Sequence, residues 1–354
     1  MSSTSSARPR NRSRTWFRGR SYSAPQQLEA FFVCAGSGVI LNRTFLILTG
    51  YPQIGNATLH ISHAIWGALA MMVALSLALA YLSPTQRTFT AVLGGFGFGW
   101  FVDELGKFIS RDVNYLFKPA LALIYLIFIA MFFWFRHLVG HGYDADDAVL
   151  NALAALQAAR LGALTDRQRR EALERLDGLG DGSPFADSVR RLLSDTPASP
   201  PLPPSRVERL RLRSLDAYDA ATTTRWFVPF VTALFGVIAV AVLASVLAVG
   251  FGDHFGHFSS YVGAISASVV AALVLVGGIL LPRHRLAAFH WFDRAVLVWI
   301  LVVQIFLFER EQFGATVGLL VALVVWALLR SAITLEEQRT TPVPSGATAT
   351  APTA

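Results

Sequence analysis

Four ionisable residues lie inside stretches of the chain that otherwise consist mainly of apolar residues. Arg43 lies in the first stretch, and Asp103, Glu104 and Lys107 lie in the third. On a helix, Lys107 can pair with either carboxylate, because spacings of three and four residues share one face. Arg43 can then neutralise the other carboxylate. Charges inside a membrane usually mark an ion or substrate pathway, so the four residues form a candidate substrate or ion cluster. The open alternative is a neutral network that only holds helices in register.

Histidines supply a second candidate group. His60 and His63 form an HxxH pattern, which on a helix would place both imidazoles near one face, and His254 and His257 follow in a later polar segment. Imidazole and carboxylate groups are ligands of zinc, so these histidines are candidate zinc ligands. The alternative is that they form hydrogen bonds at a membrane interface. The HExxH motif of zinc proteases is absent from the chain, and no residue is assigned as catalytic.

The elements that must position these residues follow from the composition. Of 354 residues, 54% are hydrophobic and only 15% are charged, and the mean hydropathy is +0.49, which is too apolar for a soluble protein of this size. Apolar stretches approach the roughly 20 residues that cross a bilayer. They cover about residues 28–50, 60–82, 89–110, 119–139, 226–250, 259–281, 294–309 and 313–334. The predicted fold is an all-α polytopic membrane protein with about eight transmembrane helices.

The polar segments divide the chain into five parts. A disordered basic tail, 1–27, precedes a four-helix transmembrane half, 28–139, and a helical insert with a proline-rich linker occupies 140–225. A second four-helix half, 226–334, carries almost no buried charge, and a disordered tail, 335–354, ends the chain. Three short helices are expected in the insert, which can recruit a protein partner.

Charged and capping residues indicate where the insert helices begin. Asp144, Asp146 and Asp147 open the first helix, where acidic residues suit the positive end of the helix dipole. Thr165 with Gln168 forms a capping box at the second helix, and Ser183 precedes Pro184 at the third. The predicted apolar stripe of the first helix consists of Leu150, Leu153, Leu161 and Leu164, and that of the second of Leu173 and Leu176. Together these stripes predict a small three-helix bundle.

Basic residues indicate the orientation. The N-terminal tail and the insert are rich in arginine, whereas residues 51–59 and 251–258 contain neither Lys nor Arg. By the positive-inside bias, we expect a multi-pass protein of the cell membrane with both termini in the cytoplasm. Only two of the 30 basic residues are lysines, which is typical of a GC-rich bacterial genome.

The excess of positive charge flanks apolar stretches, so it predicts membrane topology and not nucleic-acid binding. Arg206, Arg209 and Arg213 recur at helical spacing after the linker, as in a helix that contacts anionic headgroups of the bilayer. A solvated helix that leads into the next span is an equally good interpretation.

Gly94, Gly95, Gly97 and Gly99 superficially resemble a phosphate-binding loop. They lie within an apolar stretch, however, and neither GKS nor GKT follows. Small residues in such a stretch let two helices approach closely. The glycines therefore predict a face for helix packing.

Three motifs resemble an uncharacterised family of multi-spanning bacterial membrane proteins. They are HxxH at 60–63, GFGWFVDELGKF at 97–108 and DVNYLFKPA at 112–120. The resemblance covers about the first 200 residues and implies the membrane architecture, without an activity. A weaker resemblance is to membrane-embedded metal hydrolases of the ceramidase and progestin-receptor-like type, which implies zinc roles for His60, His63 and Asp103. The chain departs from those hydrolases in two ways: it has eight predicted spans instead of seven, and its last spans lack their second HxxxH motif.

Three classes of function are compatible with these patterns. A transporter or channel-like protein would use the charged cluster, and this class is favoured. A membrane scaffold or assembly factor would use the cluster for packing and the insert for recruiting partners. A metal-dependent hydrolase ranks third, so an enzyme is the less favoured interpretation.

Overall fold

The computed structural model describes most of the chain as α-helices. The described residues are 19–50, 54–55, 60–61, 64–104, 119–140, 142–179, 183–199, 258–311 and 314–340, with scattered positions between 209 and 237. The first helices are α1 (Ala24–Thr49), α2 (Ala64–Ala80), α3 (Pro84–Asp103) and α4 (Pro119–Val139). The insert contains α5 (Ala145–Arg160), α6 (Asp166–Leu179) and α7 (Pro184–Asp195). The last part contains α8 (Phe258–Leu280), α9 (Arg285–Val298), a π-helical turn (Trp299–Val303), α10 (Gln304–Glu311) and α11 (Ala315–Thr340).

Within the described residues, four segments are long and apolar enough to cross a membrane. They are Ala24–Thr49, Ala120–Val139, Arg285–Glu309 and Ala315–Thr334. Ala64–Ala80 and Ile265–Leu280 are shorter apolar segments. The helical fold class is therefore confirmed, whereas the number of eight spans stays a prediction. Most of the predicted span 226–250 lies outside the described residues.

The region predicted as the start of the second span has a different local structure. Two short strands, β1 (Ile54–Gly55) and β2 (His60–Ile61), pair in antiparallel fashion, with Gly55 opposite His60. Helix α2 begins only at Ala64. The helical spacing that we expected for the HxxH pattern is therefore wrong at His60, because the backbone there forms a strand and not a helix.

Helix α3 is shifted toward the N-terminus relative to the predicted span 89–110. It begins at Pro84, where a first-turn proline costs no helical hydrogen bond, and it ends at Asp103. Lys107 lies outside the described residues, so its predicted pairing with Asp103 or Glu104 stays a prediction.

The chain divides into two compact units. The first comprises Met1–Asn114 and Ile127–Pro203, and the second comprises Tyr115–Leu126 and Pro204–Ala354. In the first unit, α3 packs between α1 and α2. Residue contacts such as Phe31 with Gly95 and Ala35 with Gly99 show that α1 and α3 run parallel, whereas Gly67 and Ala74 of α2 meet Gly97 and Gly94 in antiparallel order.

The insert forms a three-helix bundle, as predicted. Thr165 and Gln168 exchange capping hydrogen bonds, and the Ser183 hydroxyl accepts from the backbone N–H of Ala186. The bundle core contains Ala148, Val149, Ala152, Leu164, Leu176, Ala186, Val189 and Leu193. The predicted stripe of the first helix was partly wrong. Leu150 and Leu161 are 48% and 56% exposed, because alanines and Val149 form the inner face of α5.

Helices α8, α9 and α11 form the core of the second unit. Gly277 on α8 lies against the ring of Phe292 on α9, so closely that an added Cβ would lie 2.5 Å from Cε1 of that ring. The sequence predicted a short span 294–309, but the helix begins at Arg285. The additional turns bring Asp293 inside the helical segment.

Candidate functional site

Two neighbouring residues of α1 hold the carboxylate of Asp103, the last residue of α3. Asn42 Nδ2 donates to Asp103 Oδ2 over 2.7 Å, and Arg43 Nε donates to Asp103 Oδ1 over 2.5 Å. Arg43 Nη2 also donates to the backbone oxygen of Asp103 over 3.3 Å. The side chains of Asp103 and Arg43 are 1% and 15% exposed. We call Asn42, Arg43 and Asp103 the polar node.

Glycines bring α1 and α3 close enough for the polar node to form. A Cβ added to Gly99 would lie 2.1 Å from the backbone oxygen of Ala35, and one added to Gly95 would lie 2.3 Å from that of Phe31. Gly38 on α1 meets the backbone of Phe96 in the same way. The two helices therefore touch backbone to backbone over about two turns before the node.

The opposite side of α3 packs on α2, again through glycines that let the two backbones come into contact. A Cβ on Gly97 would lie 2.7 Å from the oxygen of Gly67, and one on Gly67 would lie 2.6 Å from the oxygen of Gly97. The packing face predicted from the glycine run is thus confirmed on both sides of α3. Because these contacts involve main chain, the helices have little freedom to slide at this level.

Glu104 follows Asp103 and is also buried, with 2% of its surface exposed. Asn42 is 1% exposed, and its amide oxygen has no hydrogen-bond partner among the described residues. A buried polar atom without a partner is costly, and an open acceptor of this kind can receive a proton donor or a cation. Carboxylate and amide oxygens are the ligands that hard cations prefer. The arrangement can therefore bind a proton or a small cation.

The four residues of the predicted charged cluster have different outcomes. The structure brings Arg43 and Asp103 together as an ion pair and places Glu104 beside them in the chain. The fourth, Lys107, lies outside the described residues. The sequence analysis did not include Asn42 in the cluster. An amide directly before a charged residue inside an apolar stretch could have indicated it.

The predicted zinc ligands are not assembled by the described part of the chain. His63, His254 and His257 lie outside it, and for His60 it gives the backbone in β2. Among the residues that are described, no group of three or more His, Cys, Asp and Glu side chains is arranged to hold a metal ion. The zinc site therefore stays a prediction.

The second unit contains a buried acid that the sequence analysis placed outside a span. Asp293 on α9 accepts from Trp326 Nε1 over 2.9 Å and from Arg330 Nη2 over 3.1 Å, both on α11. Gln304 directly follows the π-helical turn, and its Nε2 donates to the backbone oxygen of Ala315 over 2.7 Å. The expectation of almost no buried charge in this half was thus wrong at Asp293.

Two of the three arginines expected at anionic headgroups, Arg209 and Arg213, are exposed, whereas Arg206 lies outside the described residues. Their contact with lipid stays a prediction. No protein-family model, curated protein or solved structure matches the chain. The resemblances drawn from the motifs therefore also stay predictions.

Proposed function

We propose that the chain is a multi-pass protein of the cell membrane, with both termini in the cytoplasm, that moves a proton or a small cation past the polar node. Four described segments have the length and composition of membrane spans, which supports the location. The absence of Lys and Arg from residues 51–59 supports an outer position for that loop.

The observation that carries the transport proposal is a buried oxygen of the polar node, Asn42 Oδ1, that accepts no hydrogen bond from the described residues. Arg43 and the Asn42 amide nitrogen hold Asp103, while the Asn42 oxygen points to no partner among the described residues. A node built only for packing would be expected to satisfy every buried polar atom. The open oxygen of Asn42, beside the buried carboxylate of Asp103, is where a transported ion or hydronium would bind.

A membrane scaffold is the second candidate, and a separate observation favours it. The main-chain contacts at Gly95, Gly97 and Gly99 join three helices tightly. Rocking or sliding of these helices, as alternating access requires, would break those contacts. If the scaffold proposal is correct, the polar node fixes the register of α1 and α3 and binds no ion.

Flux measurements on purified protein in liposomes separate the two functions. The liposomes carry a dye that is sensitive to H⁺, Na⁺ or K⁺, and flux of each ion is driven by a gradient of that ion. Asp103→Asn keeps the shape of the side chain and removes its charge. Asp293→Asn is the matched control, because it changes a buried acid of the other unit.

Transport predicts flux in the parent and in Asp293→Asn, with flux lost in Asp103→Asn. The melting temperature of each variant in detergent shows whether the loss reflects unfolding. Absence of flux for all three ions in a folded parent, or full flux in folded Asp103→Asn, would rule out the proposal. A folded parent without flux would favour the scaffold.

A further inference from the structure

Residues 19–23, which precede α1, contact the insert through their backbone. We call them the latch segment. The backbone N–H of Arg20 donates to Asp147 Oδ1 over 2.8 Å, and that of Tyr22 donates to Asn151 Oδ1 over 2.8 Å. Asn151 Nδ2 donates in return to the backbone oxygen of Arg20 over 2.7 Å. Two side chains one turn apart on α5 thus satisfy three backbone groups of the latch segment, as in sites that recognise a peptide through its main chain.

The insert also contacts the Arg20 side chain. Arg20 Nη2 lies 3.1 Å from Asp147 Oδ2 and also donates to the backbone oxygen of Gly142. The guanidinium carbon lies 5.4 Å from the ring centroid of Tyr143. Asp147, whose side chain is 3% exposed, therefore recognises both the backbone and the charge of one residue. Such charge-assisted bonds are stronger than neutral ones.

Tyr22 occupies a second position on the same surface. Its ring meets Tyr143 edge to face, with the centroids 4.5 Å apart. The guanidinium carbon of Arg175 on α6 lies 4.2 Å from the centroid of the Tyr22 ring. The ring is thus held between an aromatic residue before α5 and a cation of α6, an arrangement that favours an aromatic side chain.

The conformation of the segment is restricted at Gly19. Its φ of +82° lies in the region that other residues rarely adopt, and an added Cβ would lie 2.9 Å from Leu150 Cδ1. The sequence Gly-Arg-x-Tyr therefore matches the surface at three positions.

We propose that Asp147, Asn151, Tyr143 and Arg175 form a peptide-binding site for an Arg-x-Tyr segment, and that its ligand is the chain's own latch segment. The site ties the start of α1 to the insert. The described core of the insert is made only by residues of α5, α6, α7 and the turn at Leu164, so the insert does not need the latch segment to form its core. The latch is therefore releasable, and the site can act as a regulatory contact independent of ion transport.

Hydrogen–deuterium exchange of the full-length protein in detergent tests this site. In the parent protein, the backbone amides of Arg20 and Tyr22 should exchange slowly, as measured on proteolytic fragments that cover residues 19–23. Arg20→Gln and Asn151→Leu should each speed exchange there by about tenfold or more, as expected for the loss of bonds to buried partners. Asp177→Asn is the matched control, because Asp177 forms an exposed ion pair with Arg190 of the same bundle and not with a residue of the latch segment.

A second measurement adds a free peptide of residues 19–23. At millimolar concentration, which is the range of the tethered segment's effective concentration, the peptide should speed exchange of the latch segment. The same peptide with Arg20→Gln should have no effect. Unchanged exchange in Arg20→Gln, which leaves every insert residue intact, or no competition by the parent peptide would overturn the proposal. Because neither readout involves flux, this result is independent of the transport test.

Discussion

Arg43 Nε lies 2.5 Å from Asp103 Oδ1, and this ion pair joins the first and third helices where glycines have already brought their backbones into contact. The side-chain amide of Asn42 donates a hydrogen bond to the other oxygen of the Asp103 carboxylate. The carboxylate is therefore held from one helix by two consecutive residues. Any change of register between α1 and α3 must break this pair, so the node reports directly on helix packing.

Removal of one partner of this ion pair should lower the free energy of unfolding more than removal of both partners. Arg43→Met leaves the buried Asp103 carboxylate without its cation, which should lower the free energy of unfolding by about 3–5 kcal/mol. The double variant Arg43→Met, Asp103→Asn should recover part of that loss, because no unpaired charge remains. Thermal unfolding in detergent, monitored by light scattering or by a dye that does not react with cysteine, measures the difference in stability between the single and the double variant.

The single variant Asp103→Asn completes the cycle for this pair. A coupling free energy near zero across the four proteins would mean that Arg43 and Asp103 do not interact in the folded protein. That outcome would contradict the geometry of the polar node.

Glycine substitutions should differ sharply with position. Gly99→Ala places a Cβ 2.1 Å from the Ala35 oxygen, whereas Gly36→Ala places one 3.9 Å from Phe128 Cε1, an ordinary contact. Gly99→Ala should therefore cost about 2 kcal/mol or more, because two backbones must move apart. Gly36→Ala should be neutral or slightly stabilising, because alanine favours a helix. Equal melting temperatures for the two variants would show that α1 and α3 do not pack through this face.

The latch segment should detach in acid. Burial of Asp147 favours its neutral form, but hydrogen bonds from the backbone N–H groups of Arg20 and Asp144, together with the charge of Arg20, outweigh burial and lower its pKa. Because the pKa is lowered in the folded protein, the stabilisation is complete above the usual aspartate pKa of about 3.9. It is lost as the pH falls through the lowered value.

A nitroxide label can follow this release. The label is placed at Ser23→Cys in a Cys34→Ala background, since Cys34 is the single cysteine of the chain. The spectrum should be immobilised near pH 6 and should sharpen as the pH is titrated from about 3.9, the usual aspartate pKa, down through the lowered pKa of Asp147. In Asp147→Asn the label should be equally mobile throughout this titration. A parent spectrum that does not change with pH would contradict the role of Asp147.

The Asp293 contacts should stabilise the second unit. Trp326→Phe removes the indole donor and keeps an aromatic ring, so it should lower the free energy of unfolding by about 1.5–3 kcal/mol, the usual worth of a hydrogen bond to a charged group. Trp291→Phe is the control. Its ring contacts Arg294 of the same helix and is not a partner of Asp293. Calorimetry in detergent compares the two, and equal effects would show that the Asp293 bond contributes nothing.

Local signals predicted the insert well. The capping residues Thr165 and Ser183 mark helices that begin at Asp166 and Pro184, and the acidic residues from Asp144 mark one that begins at Ala145. Capping acts between residues two or three positions apart, so a linear pattern is enough to predict it. The inner face of α5 was harder to predict, because alanine and leucine are both compatible with a helix and only the neighbouring helices decide which side is buried. Leu150 is therefore exposed where the leucine pattern predicted core.

The sequence by itself determined the helical class, the apolar segments and the use of the glycine run as a packing face. The apolar segments are recognised by the number of residues needed to cross the hydrocarbon layer of a bilayer, and the packing face by its small side chains. Both can be read from a short stretch of sequence. The tertiary structure decided which residues meet across long separations: Asn42 and Arg43 with Asp103, Asp293 with Trp326, and Arg20 with Asp147. Each pairing depends on the register between two segments that are distant in the chain. That register is set by packing of whole surfaces, which no short pattern specifies.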